Sequence, residues 1–128
     1  MWNWFTLHPR AEKNFRMFGL EPFGLRLVDP LDYLGFFQLE SNAGLVFTDS
    51  GGVQEETCVL RVPCVTLRDS TERPETLKVG SNVLAGSDPD VIVEKARFML
   101  GRSGGWKNPF GDGKAGKRII ELLRCEFG

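Results

Sequence analysis

The sequence predicts an α/β domain with a Rossmann-like, three-layer fold and a mostly parallel sheet. Short apolar runs alternate with segments of helical periodicity, which is typical of a chain that alternates strands and helices. The apolar runs are short and nearly continuous, which is typical of strands that are covered by helices on both faces. Because 128 residues is close to the commonest size of one domain, we expect one compact domain over residues 1–128.

The apolar runs predict five strands. They are Trp4–Leu7, Leu25–Val28, Leu45–Thr48, Val62–Leu67 and Asn82–Leu84. The start of the chain, Met1–Phe5, is unusually aromatic, and we interpret it as part of a buried strand or as a point where a larger chain has been cut.

The segments between the strands predict helices. Their ranges are Pro9–Met17, Asp32–Leu39, Gly52–Leu60, Pro74–Val79, a helix that begins at Pro89 after the N-cap Asp88, and Lys114–Cys125. On the last two helices, apolar residues at helical spacing predict stripes that face the core: Val93, Ala96 and Leu100, and then Ala115, Ile119 and Leu122. The glycine-rich segment between these helices, Gly101–Gly113, is dense in turn residues and predicts a structured loop.

The composition excludes several classes of function. A formal net charge of -1, with both signs mixed along the chain, argues against a nucleic-acid-binding protein. No apolar run approaches the roughly 20 residues of a membrane span, and the start does not read as a signal peptide. The three cysteines, Cys58, Cys64 and Cys125, lie in apolar segments without the spacing of a zinc site, which predicts reduced core thiols in a cytoplasmic protein.

The segment TDSGGVQEE places a Gly-Gly turn between a predicted strand and the helix that follows it. Open α/β sheets bind ligands at this edge, and free amides at a helix start favour a phosphate. Gly51 and Gly52 let the backbone approach such a ligand closely. A purely structural turn explains the same pattern, so both interpretations stay open.

Glu55 and Glu56 follow the turn within one helical repeat. Adjacent helical residues point about 100° apart, so at most one of these carboxylates faces the turn. That carboxylate is well placed to accept hydrogen bonds from ribose hydroxyls. Acidic residues also stabilise a helix N-terminus without any ligand, which remains an alternative.

A second polar cluster, LRDSTERPET, follows the next predicted strand, and its charged residues are Arg68, Asp69, Glu72, Arg73 and Glu75. A solvated ion-pair network is the simpler interpretation. Two guanidiniums beside a phosphate turn would also suit a diphosphate, since arginine offers paired donors.

The segments TDSGGVQEE, LRDSTERPE and NPFGDGKA, with HPR and DPLDYLGF upstream, resemble the C-terminal half of the non-hydrolysing UDP-N-acetylglucosamine 2-epimerases. The resemblance extends from about His8 to Leu123. It implies one half of a glycosyltransferase-B-like enzyme, whose active site lies in the cleft between two Rossmann-like halves. It also implies interconversion of UDP-GlcNAc and UDP-ManNAc by elimination and re-addition of UDP, without a nicotinamide cofactor or an obligatory metal.

Position by position, the resemblance implies that Ser50 and Gly51 bind the diphosphate and that Glu56 holds the ribose hydroxyls. It places Arg73 on the phosphate or sugar side of the cleft and Phe36 beside the uracil. A substrate-binding set therefore follows from the motifs, while the identity of the nucleotide follows from the resemblance alone.

His8, the only histidine, belongs to the HPR segment, which in bacterial members lies near a second, activating UDP-GlcNAc. A structural role for a lone histidine is the alternative. The resemblance implies that the family's proton-transfer groups belong to an N-terminal domain, which we expect to be absent from this chain, so no complete catalytic set is expected here. We therefore expect binding of UDP or a UDP-sugar without turnover, an N-terminal epimerase domain on a separate chain as partner, and a homodimer as a further option.

Two other functions stay open on the sequence. One is a stand-alone nucleotide-sugar-binding or regulatory module without catalysis, and the other is the C-terminal domain of a glycosyltransferase. The TERPE and NPFGDG segments favour the epimerases over the glycosyltransferases. Nucleotide hydrolysis is disfavoured because no P-loop lysine follows the glycines.

Overall fold

The computed structural model describes residues 3–128, so Met1 and Trp2, with their part of the predicted aromatic strand, lie outside the described residues. Strands and helices alternate along the chain. In order they are β1 (Trp4–Thr6), α1 (Pro9–Phe18), β2 (Arg26–Val28), α2 (Tyr33–Ser41), β3 (Val46–Thr48), α3 (Gly51–Leu60), β4 (Cys64–Thr66), α4 (Pro74–Lys78), β5 (Asn82–Leu84), α5 (Pro89–Leu100) and α6 (Ala115–Phe127).

Every predicted strand and helix is present, and all the strand pairs are parallel. The predicted α/β fold with a mostly parallel sheet is thus confirmed. The bounds differ by one or two residues, and β4 begins at Cys64 rather than Val62. Pro63 has no N–H to donate to a neighbouring strand, and the regular pairing therefore starts one residue after it.

The chain divides into two compact units, one ending at Leu39 and the other comprising Glu40–Gly128. In the first unit β1 pairs with β2, and Phe5 of β1 packs against Phe15 of α1 with ring centroids 5.9 Å apart. Residues 3–39 are all half-buried or exposed. The expectation that each strand is covered on both faces is therefore wrong for β1 and β2, because a two-stranded pair has few neighbours to cover it.

The second unit contains the sheet β3-β4-β5, with β4 in the centre. Cys64, Val65 and Thr66 of β4 are all buried, and consecutive strand residues point to opposite faces, so both faces of this strand are covered. Val65 belongs to the apolar core with Ala85 and Met99. Cys64 and Thr66 face the polar interior beneath α3, which positions the candidate site.

The predicted core stripes of the last two helices are wrong. On α5 the buried residue is Met99, while Val93 and Leu100 are each 48% exposed. The face of α5 that packs on the sheet therefore lies beside the predicted stripe. On α6 all residues are exposed, including Ala115, Ile119, Leu122 and Cys125, because an amphipathic pattern shows that a helix has an apolar face but not what covers it.

The predicted structured loop, Gly101–Gly113, is confirmed by its internal hydrogen bonds. The Asn108 side chain accepts from the Phe110 amide at 2.9 Å and donates to the Gly111 carbonyl at 3.1 Å. Trp106 anchors the loop, since its buried indole N–H donates to the Cys58 carbonyl at 2.9 Å. Within residues 3–128, none of the helices is both long enough and apolar enough to span a membrane.

Candidate functional site

The turn between β3 and α3 exposes the start of a helix at the carboxyl end of a strand. Ser50 is the N-cap: its side chain accepts a hydrogen bond from the Val53 amide, and its own amide donates to Thr48 Oγ1 at 3.0 Å. Gly51 and Gly52 form the first helical residues, whose amides have no partner within the helix. This arrangement offers backbone donors and the positive end of the helix dipole to an anion.

The loop that precedes α4 brings Arg73 to this helix start. A methyl group built on Gly51 would lie 3.9 Å from Arg73 Cζ and 3.8 Å from Glu72 Oε2. The absence of a side chain at Gly51 therefore leaves a gap between the first amides of α3 and a guanidinium. The structure brings the predicted Ser50, Gly51, Gly52 and Arg73 together within the second unit.

The charged side chains of this loop are paired, as the simpler interpretation expected. Arg68 makes two hydrogen bonds to the Glu72 carboxylate, of 3.0 and 2.8 Å, and this guanidinium lowers the pKa of Glu72 below its usual range. Arg73 forms an ion pair with Glu55 through its Nε. Both partners of the Arg73–Glu55 pair remain more than a third exposed, so the Arg73 guanidinium stays accessible to an anion.

A buried polar network, which the sequence reasoning missed, supports the Arg73 loop from below. Gln54 Oε1 accepts hydrogen bonds from Thr71 Oγ1 at 2.5 Å and from Asn82 Nδ2 at 3.2 Å. Thr71 Oγ1 in turn accepts from the Arg73 amide at 3.0 Å, and Thr76 Oγ1 donates to the Arg73 carbonyl at 2.8 Å. Gln54 therefore connects α3, the Arg73 loop and β5.

Glu56 lies on the side of α3 away from Arg73, where it meets Glu40, the penultimate residue of α2. Glu40 is only 3% exposed. Its burial and the neighbouring Glu56 carboxylate raise the pKa of Glu40 to about 7. The expectation that the two adjacent glutamates of α3 point in different directions is confirmed.

Two residues of the predicted set belong to the first unit. Phe36 is half-buried on α2, and His8 caps α1 by accepting a hydrogen bond from the Arg10 amide at 3.2 Å. The cap gives His8 a structural role, while its proposed place near a second ligand stays a prediction. An apolar pocket of about 330 Å³ in this unit, lined in part by Leu7 and Leu27, includes neither residue.

The sequence model described as UDP-N-acetylglucosamine 2-epimerase matches residues 3–124. The chain belongs to this family. It is 48% identical over 124 residues to the UDP-N-acetylglucosamine 2-epimerase of Methanocaldococcus jannaschii, an alignment that covers 93% of this chain and 34% of that protein. It is also 43% identical over 118 residues to the UDP-2,3-diacetamido-2,3-dideoxy-D-glucuronate 2-epimerase of Pseudomonas aeruginosa, covering 91% of this chain and 33% of the relative.

Among solved structures, the fold is similar to that of the M. jannaschii UDP-GlcNAc 2-epimerase in complex with UDP-GlcNAc and UDP. The TM-score is 0.85 at 46% identity, over 95% of this chain and 35% of that one. This likeness confirms the Rossmann-like half of a glycosyltransferase-B-like fold. The chain spans about a third of the length of the epimerases it matches.

The burial of Gln54 and Glu40 could have been predicted from their helical spacing in the sequence. Gln54 shares helical spacing with Thr57 and Cys58, which are buried on the same side of α3. Glu40 lies four and three residues after Phe36 and Phe37, which places it on the apolar face of α2. In both cases a polar residue at an inward position marks a group whose partner must come from another element.

Proposed function

We propose that this chain supplies the UDP-binding half of an epimerase that interconverts UDP-GlcNAc and UDP-ManNAc. The observation that carries the proposal is the gap at Gly51, which has free helix amides on one side and the Arg73 guanidinium on the other. Two convergent donor groups of this kind suit a diphosphate, because arginine and helix-start amides both favour negatively charged phosphate oxygens. Family membership supports the uridine and the sugar.

In this proposal the diphosphate lies against Ser50, Gly51 and Gly52. It replaces the Glu55 carboxylate as the ion-pair partner of the Arg73 guanidinium. Glu56 accepts hydrogen bonds from the ribose hydroxyls, while the contact of Phe36 with the uracil stays a prediction of the resemblance. The P. aeruginosa relative carries a different sugar in its name, so the nucleotide is the constant part of the ligand among these relatives.

The chemical step that this half-site serves is the departure of UDP from the sugar and its return. Donors preorganised around the diphosphate stabilise the negative charge that develops on it when the bond to the sugar carbon breaks. The same donors hold UDP for its addition to the other face of the sugar. We propose that the proton-transfer groups lie outside residues 1–128, in an N-terminal epimerase domain, and that this chain alone binds UDP without turnover.

Three further expectations accompany the proposal and remain predictions. His8 lies near a second UDP-GlcNAc, the protein pairs as a homodimer, and it acts in the cytoplasm. None of them is needed for the binding of UDP at Gly51 and Arg73, which is tested on its own.

The test is an amide-resolved NMR titration of the chain with UDP, with UMP and GDP as controls. We expect selective shifts at Ser50–Glu56 and near Arg73, stronger for UDP than for either control. A Gly51→Ala variant keeps an allowed backbone and only van der Waals contacts, yet its methyl group fills the gap, so UDP binding should fall at least about tenfold. The matched Gly116→Ala variant, on exposed α6, should bind as the unmodified chain does. Equal UDP affinity in Gly51→Ala would contradict the site.

A second measurement addresses turnover by the chain alone. Incubation with UDP-GlcNAc should leave the sugar unchanged, as followed by proton NMR of the anomeric signals. Formation of UDP-ManNAc by the purified chain would show that residues 1–128 contain a complete catalytic set and would overturn this part of the proposal.

A further inference from the structure

Glu40 is a buried carboxyl with no role in the reaction described above. Neither of its oxygens is accessible to water, and neither receives a hydrogen bond from a donor group of the protein in the described residues. The carboxyl of Glu56 is its neighbour, and it disfavours a second negative charge at this place. A buried carboxylate without donors is strongly disfavoured, so the burial of Glu40 beside another carboxyl requires an explanation.

We infer that Glu40 is a positioning residue: its protonated carboxyl donates a hydrogen bond to the Glu56 carboxylate and fixes the direction in which Glu56 meets a ribose. Two carboxyl groups can share one proton in this way, whereas two carboxylates in contact repel each other. The inference rests on the proposed function, since it concerns the ligand assigned to Glu56.

The proton belongs to Glu40 because its environment penalises the charged form more. Glu40 is almost fully buried, while Glu56 is half-buried and reaches the surface of α3. The titratable groups that face Glu40 are Glu56 from α3 and Cys64 from β4, and neither offers a positive charge. Burial raises the pKa of the Cys64 thiol to about 12, so this neighbour stays neutral while Glu40 titrates.

A fixed Glu56 matters because a ribose diol needs an acceptor with a defined direction. A carboxylate whose inner oxygen accepts from Glu40 presents its other oxygen outward, and less side-chain entropy is lost when a hydroxyl binds. Loss of the Glu40 proton places two negative charges in contact and releases this orientation. The preference for the ribose hydroxyls should therefore decrease as the pH rises through about 7.

The experiment compares the dissociation constants of UDP and 2′-deoxy-UDP for the same protein by calorimetry, from pH 6 to pH 8.5. Their ratio isolates the contact with the 2′-hydroxyl, because the titration of the diphosphate affects both ligands equally. For the unmodified chain at pH 6 we expect UDP to bind about tenfold more tightly, as for a hydrogen bond to a charged acceptor. The ratio should decline toward pH 8.5.

Two variants separate the donor from the charge. Glu40→Gln keeps an N–H donor and cannot ionise, so its ratio should remain near tenfold at every pH. Glu40→Leu removes the donor, so its ratio should fall below about threefold, with 2′-deoxy-UDP affinity nearly unchanged. Glu94→Gln, on the exposed surface of α5, removes a carboxylate elsewhere and should reproduce the ratio of the unmodified chain.

The outcomes distinguish the inference from the proposed function. A Glu40→Leu variant that keeps the full ratio, or one that weakens both ligands equally, would overturn the positioning role while leaving the UDP site in place. An unmodified chain that does not discriminate between the two ligands would refute the ribose contact of Glu56, and the positioning role with it. Carbon-13 NMR of the side-chain carboxyls then reports, without any ligand, whether Glu40 and Glu56 share a proton.

Discussion

The two sides of α3 carry the same residue type in opposite surroundings. Glu55 meets the Arg73 guanidinium at a partly exposed position, whereas its neighbour Glu56 meets the carboxyl of buried Glu40. On the first side a positive charge stabilises the carboxylate, and on the second side a like group opposes it unless one of them keeps a proton. The role of each glutamate is therefore set by the element packed beside it.

In the proposed function, one helix serves two parts of a nucleotide. The Arg73 side would supply a cation next to the helix start, where a diphosphate is favoured. The Glu40 side would keep an acceptor in place one turn further along, where sugar hydroxyls are favoured. Gln54 lies between them and holds the Arg73 loop against α3 through Thr71.

The largest expected effect concerns the Glu40 side and the pH dependence of stability. The pKa of Glu40 rises from 4.5 to about 7 on folding, so the folded state retains a proton that the unfolded state releases. The associated stability is fully present below pH 4.5 and is lost as the pH rises through about 7, by roughly 3 kcal/mol in total. Urea unfolding of the unmodified chain and of Glu40→Gln from pH 4.5 to 8.5 should show this decline in the first protein only.

The difference between these two proteins cancels the other titrating groups. Glu72 and Asp112 have lowered pKa values, so the stability that they contribute is lost as the pH falls, not as it rises. Parallel stability profiles for the unmodified chain and Glu40→Gln would show that Glu40 is ionised in the folded state, contrary to its burial.

A smaller effect is expected from the residue between the two sides. Gln54→Ala removes the acceptor of the Thr71 hydroxyl and of the buried Asn82 amide, which leaves donors unsatisfied. The free energy of unfolding should fall by about 2 kcal/mol. Asn14→Ala, which removes an exposed side-chain amide from α1, is the matched control, and its free energy of unfolding should not fall by more than about 0.5 kcal/mol. Equal unfolding midpoints for the two variants would argue against a supporting network.

The helix starts of this fold could be predicted because their signals are local. Asp88 caps the helix that the sequence assigned to it, since a side-chain oxygen before a helix accepts amides two or three residues later. The gap at Gly51 followed from the same local reasoning, although the approach of Arg73 to it depended on how two loops pack at one sheet edge.

The Glu40–Glu56 contact could not be predicted in the same way. Charged residues are rarely buried, and the sequence placed Glu40 just beyond a helix that in the structure continues to Ser41. Its burial depends on tertiary packing of the α2 end beside α3, which no local propensity encodes. The stripe on α5 failed for a related reason, because Val93 and Met99 are both apolar and only packing shows which one faces the sheet.

The smallest expected effect on stability, and the sharpest contrast between the two sides, comes from Glu55→Gln beside Glu56→Gln. The Arg73–Glu55 pair is partly exposed, so its loss should lower the free energy of unfolding by less than about 1 kcal/mol, and by even less in 0.5 M salt.

In the proposed site Glu55 competes with the diphosphate for Arg73, and its neutralisation should therefore strengthen UDP binding about two- to fivefold at low salt. Glu56→Gln replaces the charged acceptor of the ribose hydroxyls with a neutral one and should weaken UDP binding about tenfold while affecting 2′-deoxy-UDP less. Calorimetric titration of both variants tests this opposition directly, because two adjacent glutamates that shift UDP affinity in the same direction would mean that the two sides of α3 do not have separate roles.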